Sequence, residues 1–188
     1  MPFAELLEAA RGGDGEAFRQ LWLRYARGVA AFARARGAEE PDELTSDVFV
    51  AVFRRIGEFV GDEAAFRGFL FTVARRRLVD EARRRSRRVP TATWLPGSDD
   101  RRVASAEQVV MDQRSQAEAR DLVEGLTLDQ RDVLVLRIFG ELPLEQVAEI
   151  LGKRPGAVKA LQRRGLDALR RNFQAAGGRT DKERGQGR

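Results

Sequence analysis

The chain has 188 residues, with 34 Lys+Arg against 29 Asp+Glu, no His, no Cys and a formal charge of +5. Without imidazole or thiol there is no His or Cys base, no thiolate nucleophile, no Cys/His zinc site and no disulfide framework. Its 43% hydrophobic and 34% charged residues are a globular composition, no apolar run approaches the roughly 20 residues of a membrane span, and MPFAELLEAA lacks the pattern of an export signal, so a soluble cytoplasmic protein is expected.

Apolar spacing predicts helices throughout, with almost no strand. A short helix over residues 3 to 11 ends at Gly12-Gly13-Asp14-Gly15. A long amphipathic helix follows, carrying Phe18, Leu21, Tyr25, Val29 and Phe32 on one face. Pro41 opens the next helix, whose apolar face of Leu44, Val48, Phe49, Val52, Phe53 and Ile56 runs until Gly57 and Gly61. A third long helix runs from about Ala65 through RRRLVDEARRRSRR. Val89 to Ala104, with two prolines and no periodicity, reads as a flexible linker.

Past the linker, Ser105-x-x-Gln108 has the form of a capping box, and Thr127-x-x-Gln130 repeats it before Val133, Leu134, Leu136, Ile138 and Phe139. LPLEQVAEILG, a turn at Gly152 and a basic helix opened by Pro155 give a helix-turn-helix layout. The polar tail from Gly177 is expected to be disordered. The fold class is therefore all-α, in two small helical domains joined by a flexible linker, with the helix-turn-helix in the second. The boundaries expected are 1–89, a linker over 90–104, a second domain over 105–174 and a tail over 175–188.

The charge is concentrated in two places. Arg75 to Arg88 carries eight arginines and two acids, and Lys153 to Arg171 carries seven bases and Asp167; each sums to +6, which leaves −7 on the rest of the chain. Two basic stretches on an acidic body suit a polyanion gripped at two points, with other surfaces free for another partner. The competing reading is a pair of solvated faces.

On a wheel of the last helix, Ala157, Val158, Leu161, Gly165, Ala168 and Leu169 share one arc, opposite Gly156, Lys159, Ala160, Arg163, Arg164 and Arg170. By helix-turn-helix geometry the N-terminal half meets bases, which favours Gly156, Lys159, Ala160 and Arg163 for readout and Arg154, Arg164, Arg170 and Arg171 for phosphates.

The segments DELTSDVFVAVFRRIGEF, FRGFLFTVARRRLVDEARRR and LTLDQRDVLVLRIFGELPLEQVAEILGKRPGAVKALQRR together resemble, in order and spacing, the extracytoplasmic-function (group 4) sigma factors of bacterial RNA polymerase. The likeness spans about residues 15 to 172. It implies a protein without enzymatic activity or cofactor that binds core polymerase through its β and β′ subunits, directs it to promoters and helps open the −10 element. An anti-sigma protein is a further partner the resemblance suggests.

Carried over by position, the helix with Asp42, Glu43, Leu44, Asp47, Val48, Phe49 and Phe53 would dock on the β′ clamp helices. Phe66, Phe69, Arg75, Arg76, Arg83 and Arg84 would capture and melt the −10 element, stacking extruded bases on the rings. Arg154, Gly156, Lys159, Ala160, Arg163 and Arg164 would meet the −35 element. For Phe49, Phe53, Phe66 and Phe69 the alternative is a core role. The sequence departs from the family at Thr45-Ser46, where Gln is frequent, at Phe69, where Trp is frequent, and at Arg76, where Asn is frequent. At Ala157 and Ala160 the usual hydroxyls are missing, so the −35 preference cannot be inherited.

Two other classes compete. A stand-alone DNA-binding regulator leaves the first 90 residues without a task, and a carboxylate-metal nuclease needs converging acids where this sequence has dispersed ones.

Overall fold

A computed structural model describes residues 1–87 and 125–185, with side chains to Gln174; the expected linker and the Ser105 capping box lie outside the described residues. Among the described residues every regular element is helical.

Helix α1 spans Phe3–Arg11 and α2 spans Gly15–Ala35. Asp14 starts α2, its carboxylate accepting from the N–H groups of Glu16 and Ala17 at 2.8 and 3.4 Å. Such a cap satisfies donors that the first helical turn leaves free, and contributes about 1 kcal/mol. Helix α3, Pro41–Phe53, carries its proline in the first turn, where no backbone donor is needed. It ends before Ile56, which a 3₁₀ turn over Ile56–Glu58 tucks into the core. Helix α4, Glu63–Arg87, begins earlier than the spacing predicts, because Asp62 accepts from the Ala65 N–H at 2.8 Å and so fixes the helix start.

In the C-terminal half, α5 spans Leu128–Ile138 behind a reciprocal box in which the Gln130 N–H donates to Thr127 Oγ1 at 3.3 Å and the Thr127 N–H donates to Gln130 Oε1 at 3.0 Å. Helix α6 is Leu144–Leu151, and α7 is Pro155–Gly185. Helix α7 thus continues through Gly177, where the sequence suggested disorder. Once a helix is nucleated, each added residue gains a hydrogen bond for one residue fixed.

The apolar faces meet in one core. Leu21, Val29 and Phe32 of α2 enclose Val48, Phe49 and Val52 of α3 and Phe66, Leu70 and Phe71 of α4, and the same cluster continues into Val133, Leu136, Leu142, Val147 and Val158. Tilted ring pairs, Trp22–Phe49 at 4.7 Å and Phe18–Phe53 at 4.6 Å, close its α2/α3 side. Burying each such side chain contributes about 1.5–3 kcal/mol, so small lobes gain from sharing a core.

Candidate polymerase and nucleic-acid interfaces

The turn between α6 and α7 is built on Gly152, whose φ of 64° places it in the left-handed region and lets the Lys153 N–H close back on the Ala148 carbonyl at 2.9 Å. Lys153 is then fastened by its ammonium to Asp129 at 2.8 Å, so this lysine of the second basic run holds the turn to α5.

Helix α7 packs through Val158 and Gly165, and a Cβ at Gly165 would come within 2.9 Å of Leu134 Cδ1. That close seat fixes which face points outward. Arg154, Gly156, Lys159, Arg163 and Arg164 are exposed and Ala160 is half-buried. Gly156, Lys159, Ala160 and Arg163 line a shallow groove with Leu144, Glu145 and Arg170, and Arg154 and Arg164 lie outside it. Nothing lies within 4 Å of where a Gly156 Cβ would stand, so this first turn is open to an approaching surface. Ala157, expected on the packing arc with Val158 and Gly165, is exposed instead.

The first lobe presents a second basic face along the C-terminal half of α4, where Arg76, Arg83 and Arg84 are exposed. Arg85 does not join them, being paired with Glu81 at 2.8 Å and Glu39 at 3.1 Å.

Phe66 is corrected by the structure. It is fully buried, with Phe3, Tyr25 and Phe59 rings each 5.5 Å away, and cannot face a base. Its position follows Leu70 and Ala74 on the inner face of α4, which is the ordinary destiny of an apolar residue at helical spacing. Phe69 lies on the outer side of the same helix, half-buried, stacked on Phe59 at 5.7 Å with 20° between planes, and Arg55 lies 5.5 Å from its centroid. Beside this stack Val60 is 88% exposed, in a loop turned by Gly61 at φ 150°.

The sequence pattern singles out none of Phe59, Val60 and Arg55, although Phe59 and Val60 open the segment 59–88 expected at the −10 element. The signal was the position of Phe59 and Val60 against Gly61, between two helical patterns and belonging to neither. Arg75, the remaining member of the set, points the other way: its Nε is buried, and its charge acts on Asp132 of α5.

Helix α3 divides cleanly. Leu44, Val48 and Phe49 are buried and belong to the core, which corrects their expected place at a docking surface, while Asp42, Glu43, Ser46, Asp47 and Val50 are exposed. Phe53 is half-buried against Phe18 and Phe49. Glu43 and Asp47 border a groove between α3 and α4 whose other wall includes Arg77, Arg84 and Arg85, while Asp42 pairs with Arg34 at 2.9 Å. Tyr25, buried on α2, donates to Glu63 at 2.9 Å; loss of solvation first, and that hydrogen bond second, push its phenol well above the usual range.

Comparison with known proteins assigns these surfaces to a lineage. Residues 16–88 match sigma-70 region 2, and residues 122–171 match sigma-70 region 4. The chain belongs to the sigma-70 family.

Within that family it is similar to extracytoplasmic-function sigma factors. It is 32% identical over 171 residues to BldN of Streptomyces coelicolor, across 89% of this chain and 64% of that protein. It is 30% identical to SigD of Mycobacterium tuberculosis, across 86% of this chain and 76% of that one. A solved structure of CnrH in complex with the cytosolic domain of CnrY shares the fold, with a TM-score of 0.57 at 23% identity over 90% of this chain and 96% of that one. The protein is a promoter-directing sigma factor of RNA polymerase, whose partners are the core enzyme and promoter DNA. Its first lobe contains the region 2 match and its second the region 4 match. No helix among the described residues is long and apolar enough to cross a membrane.

Proposed function

We propose that the sigma factor divides its work among three faces: the acids of α3 dock core polymerase, the outer face of α7 reads the −35 element, and the outer side of α4 with the loop before it captures the −10 element. The observation that carries this is the sorting of α3, whose apolar residues are taken up inside while Asp42, Glu43 and Asp47 remain outside around Val50. A small apolar surface ringed by carboxylates suits a basic helical partner, with the acids setting orientation and encounter rate.

On the −10 side, Phe69 stacked on Phe59 and the exposed Val60 supply a platform and a wedge. Extruding a base costs a few kcal/mol, and stacking it on a ring returns about 1 to 3. Arg76, Arg83 and Arg84 lie along the same helix to hold phosphates. On the −35 side, Gly156, Lys159, Ala160 and Arg163 approach base edges, and Arg154 and Arg164 hold the backbone. The domains that do this are 1–89 and 105–174. The protein acts in the cytoplasm, without enzymatic activity or cofactor of its own, and an anti-sigma protein is a fitting regulator of surfaces so charged.

The test is gel filtration with core polymerase. Wild-type protein comigrates with the core enzyme, and Asp42→Arg with Asp47→Arg abolishes comigration while leaving the helical circular dichroism unchanged. Undiminished comigration of the double variant would remove α3 from the docking surface.

A further inference from the structure

The loop proposed above to capture the −10 element, residues 59–62, is fastened at both ends. At the far end Glu63 opens α4, and its carboxylate accepts from Tyr25 Oη at 2.9 Å and pairs with Arg24 at 2.8 Å and Arg67 at 3.3 Å. Asp62 is committed to the Ala65 N–H. Gly61 folds the chain over the Phe59 ring, where a Cβ would stand 3.2 Å from Phe59 Cζ and 2.8 Å from Ala65 Cβ. Val60 projects from between these holds into solvent.

The near end is held from α1, which lies ahead of the region 2 match that begins at residue 16. Arg11, in the last turn of α1, donates from one guanidinium nitrogen to Glu8 and from another to the Phe59 carbonyl. A basic side chain at that position ordinarily serves the free carbonyls ending its own helix. This one reaches a carbonyl 48 residues along the chain. Its Nε is buried without a hydrogen-bond partner among the described residues, a cost that a side chain turned to water avoids, so the hold on Phe59 outweighs that loss.

Core packing accounts for the rest of α1. Leu6, Leu7 and Ala10 are buried, and the Phe3 ring meets Phe66, which meets Phe59 edge-on at 5.5 Å and 81°. None of these contacts needs a guanidinium at Arg11. Phe59 in turn carries Phe69 stacked upon it, so the carbonyl that Arg11 holds belongs to the residue on which the platform is built.

We propose that Arg11 is a positioning residue for base capture: by holding the Phe59 carbonyl it fixes the Phe59–Phe69 stack and the Val60 wedge in the geometry that receives an extruded base, without touching DNA itself. A loop that had to be ordered as the base entered would lose backbone freedom at that moment, whereas a loop tied down in the free protein has lost it on folding. The sensitivity of such arrangements is large, since a misplacement of about 1 Å can cost about a hundredfold in rate. The proposal rests on the −10 reading given above, and its two tests separate them.

The first test needs no DNA. The chain has no cysteine, so Val60→Cys takes a nitroxide label at the loop tip alone. Arg11→Met keeps the aliphatic stem and removes the donors; in the free protein it raises the mobility of the label about twofold or more by electron paramagnetic resonance. Arg11→Lys, which keeps a charged donor, returns the mobility to the wild-type value. Equal mobility in wild type and Arg11→Met overturns the proposal, whatever the loop binds.

The second test keeps Val60 and uses holoenzyme on the start site that the wild-type protein selects most strongly. 2-Aminopurine placed in turn at each non-template −10 position reports an extruded base by its fluorescence rise. Arg11→Met slows that rise about tenfold while comigration with core polymerase and the thermal midpoint are kept, and Arg11→Lys recovers most of the rate. An unslowed rise overturns the positioning role, and so does slowing that comes with a lowered midpoint or lost core binding. With the wild-type protein, start-site selection without a rise at any position overturns −10 capture by this loop and the proposal with it, even where Arg11 restrains the label.

Discussion

Gly28 and Phe139 approach so closely that the glycine hydrogen occupies the only space left beside the Phe139 carbonyl oxygen, a Cβ there standing at 2.8 Å. The neighbour is backbone and cannot turn aside as a side chain could. Gly28→Ala therefore strains the junction of the lobes, and a cost of about 1–3 kcal/mol is expected. Urea unfolding followed by circular dichroism checks it, as a lowered midpoint with the helical signal at zero denaturant retained.

Asp132 supplies a pH signature. Burial is the largest influence on it and raises its carboxyl to about 6, well above the ordinary aspartate range, against the opposing pull of Arg36; Asp129 raises it further, and Arg75 and Lys153 lower it. The folded state thus holds this proton more tightly than the unfolded chain does. The stabilisation from protonation is complete below about pH 4 and is lost as pH rises through 6, a change of about 3 kcal/mol. Stability measured at pH 5 exceeds that at pH 8, and Asp132→Asn flattens this part of the profile. A wild-type profile identical to that of Asp132→Asn would contradict the assignment.

Two phenylalanines three residues apart separate stability from function. Phe66→Ala empties a core site and costs about 3–5 kcal/mol. Phe69→Ala removes a half-buried ring, lowers the thermal midpoint far less, and takes away the platform for an extruded base. Permanganate reactivity of −10 thymines in the promoter complex drops with Phe69→Ala while core binding is kept.

The outer face of α7 predicts a salt dependence. Replacing Lys159 or Arg164 by Ala lowers the slope of log affinity against log salt by about 1 for each phosphate no longer neutralised. Replacing Lys153, which is paired with Asp129, leaves the slope unchanged. Titration of labelled promoter DNA with holoenzyme at several salt concentrations distinguishes the two.

Much of this was legible in the sequence. Helices α2, α3, α5 and the α6–Gly152–α7 turn follow from apolar spacing, from Thr127 and Gln130, and from a single glycine that accepts positive φ. The helical face that packs is likewise written in Val158 and Gly165. What spacing does not encode is which of several apolar neighbours is outermost. Phe66 and Phe69 differ by about one helical turn and read alike, yet the rings brought over Phe66 from α1, α2 and the loop before α4, Phe3, Tyr25 and Phe59, decide that it is inside. For the same reason Val48 and Phe49 could be read as a docking ridge until α2 was placed over them. The closure of the lobes was out of reach, because Gly28, Arg36, Asp132 and Gly140 are far apart in sequence and each alone reads as an ordinary helix or turn residue.

Mapping 5′ ends of transcripts made in vitro by core polymerase on genomic DNA, with and without this protein, bears most directly on the whole. Discrete new start sites sharing paired upstream elements, abolished by combined substitution of Lys159 and Arg163 by Ala, are the expected result. An unchanged set of start sites on addition of the purified chain would contradict the assignment of these surfaces.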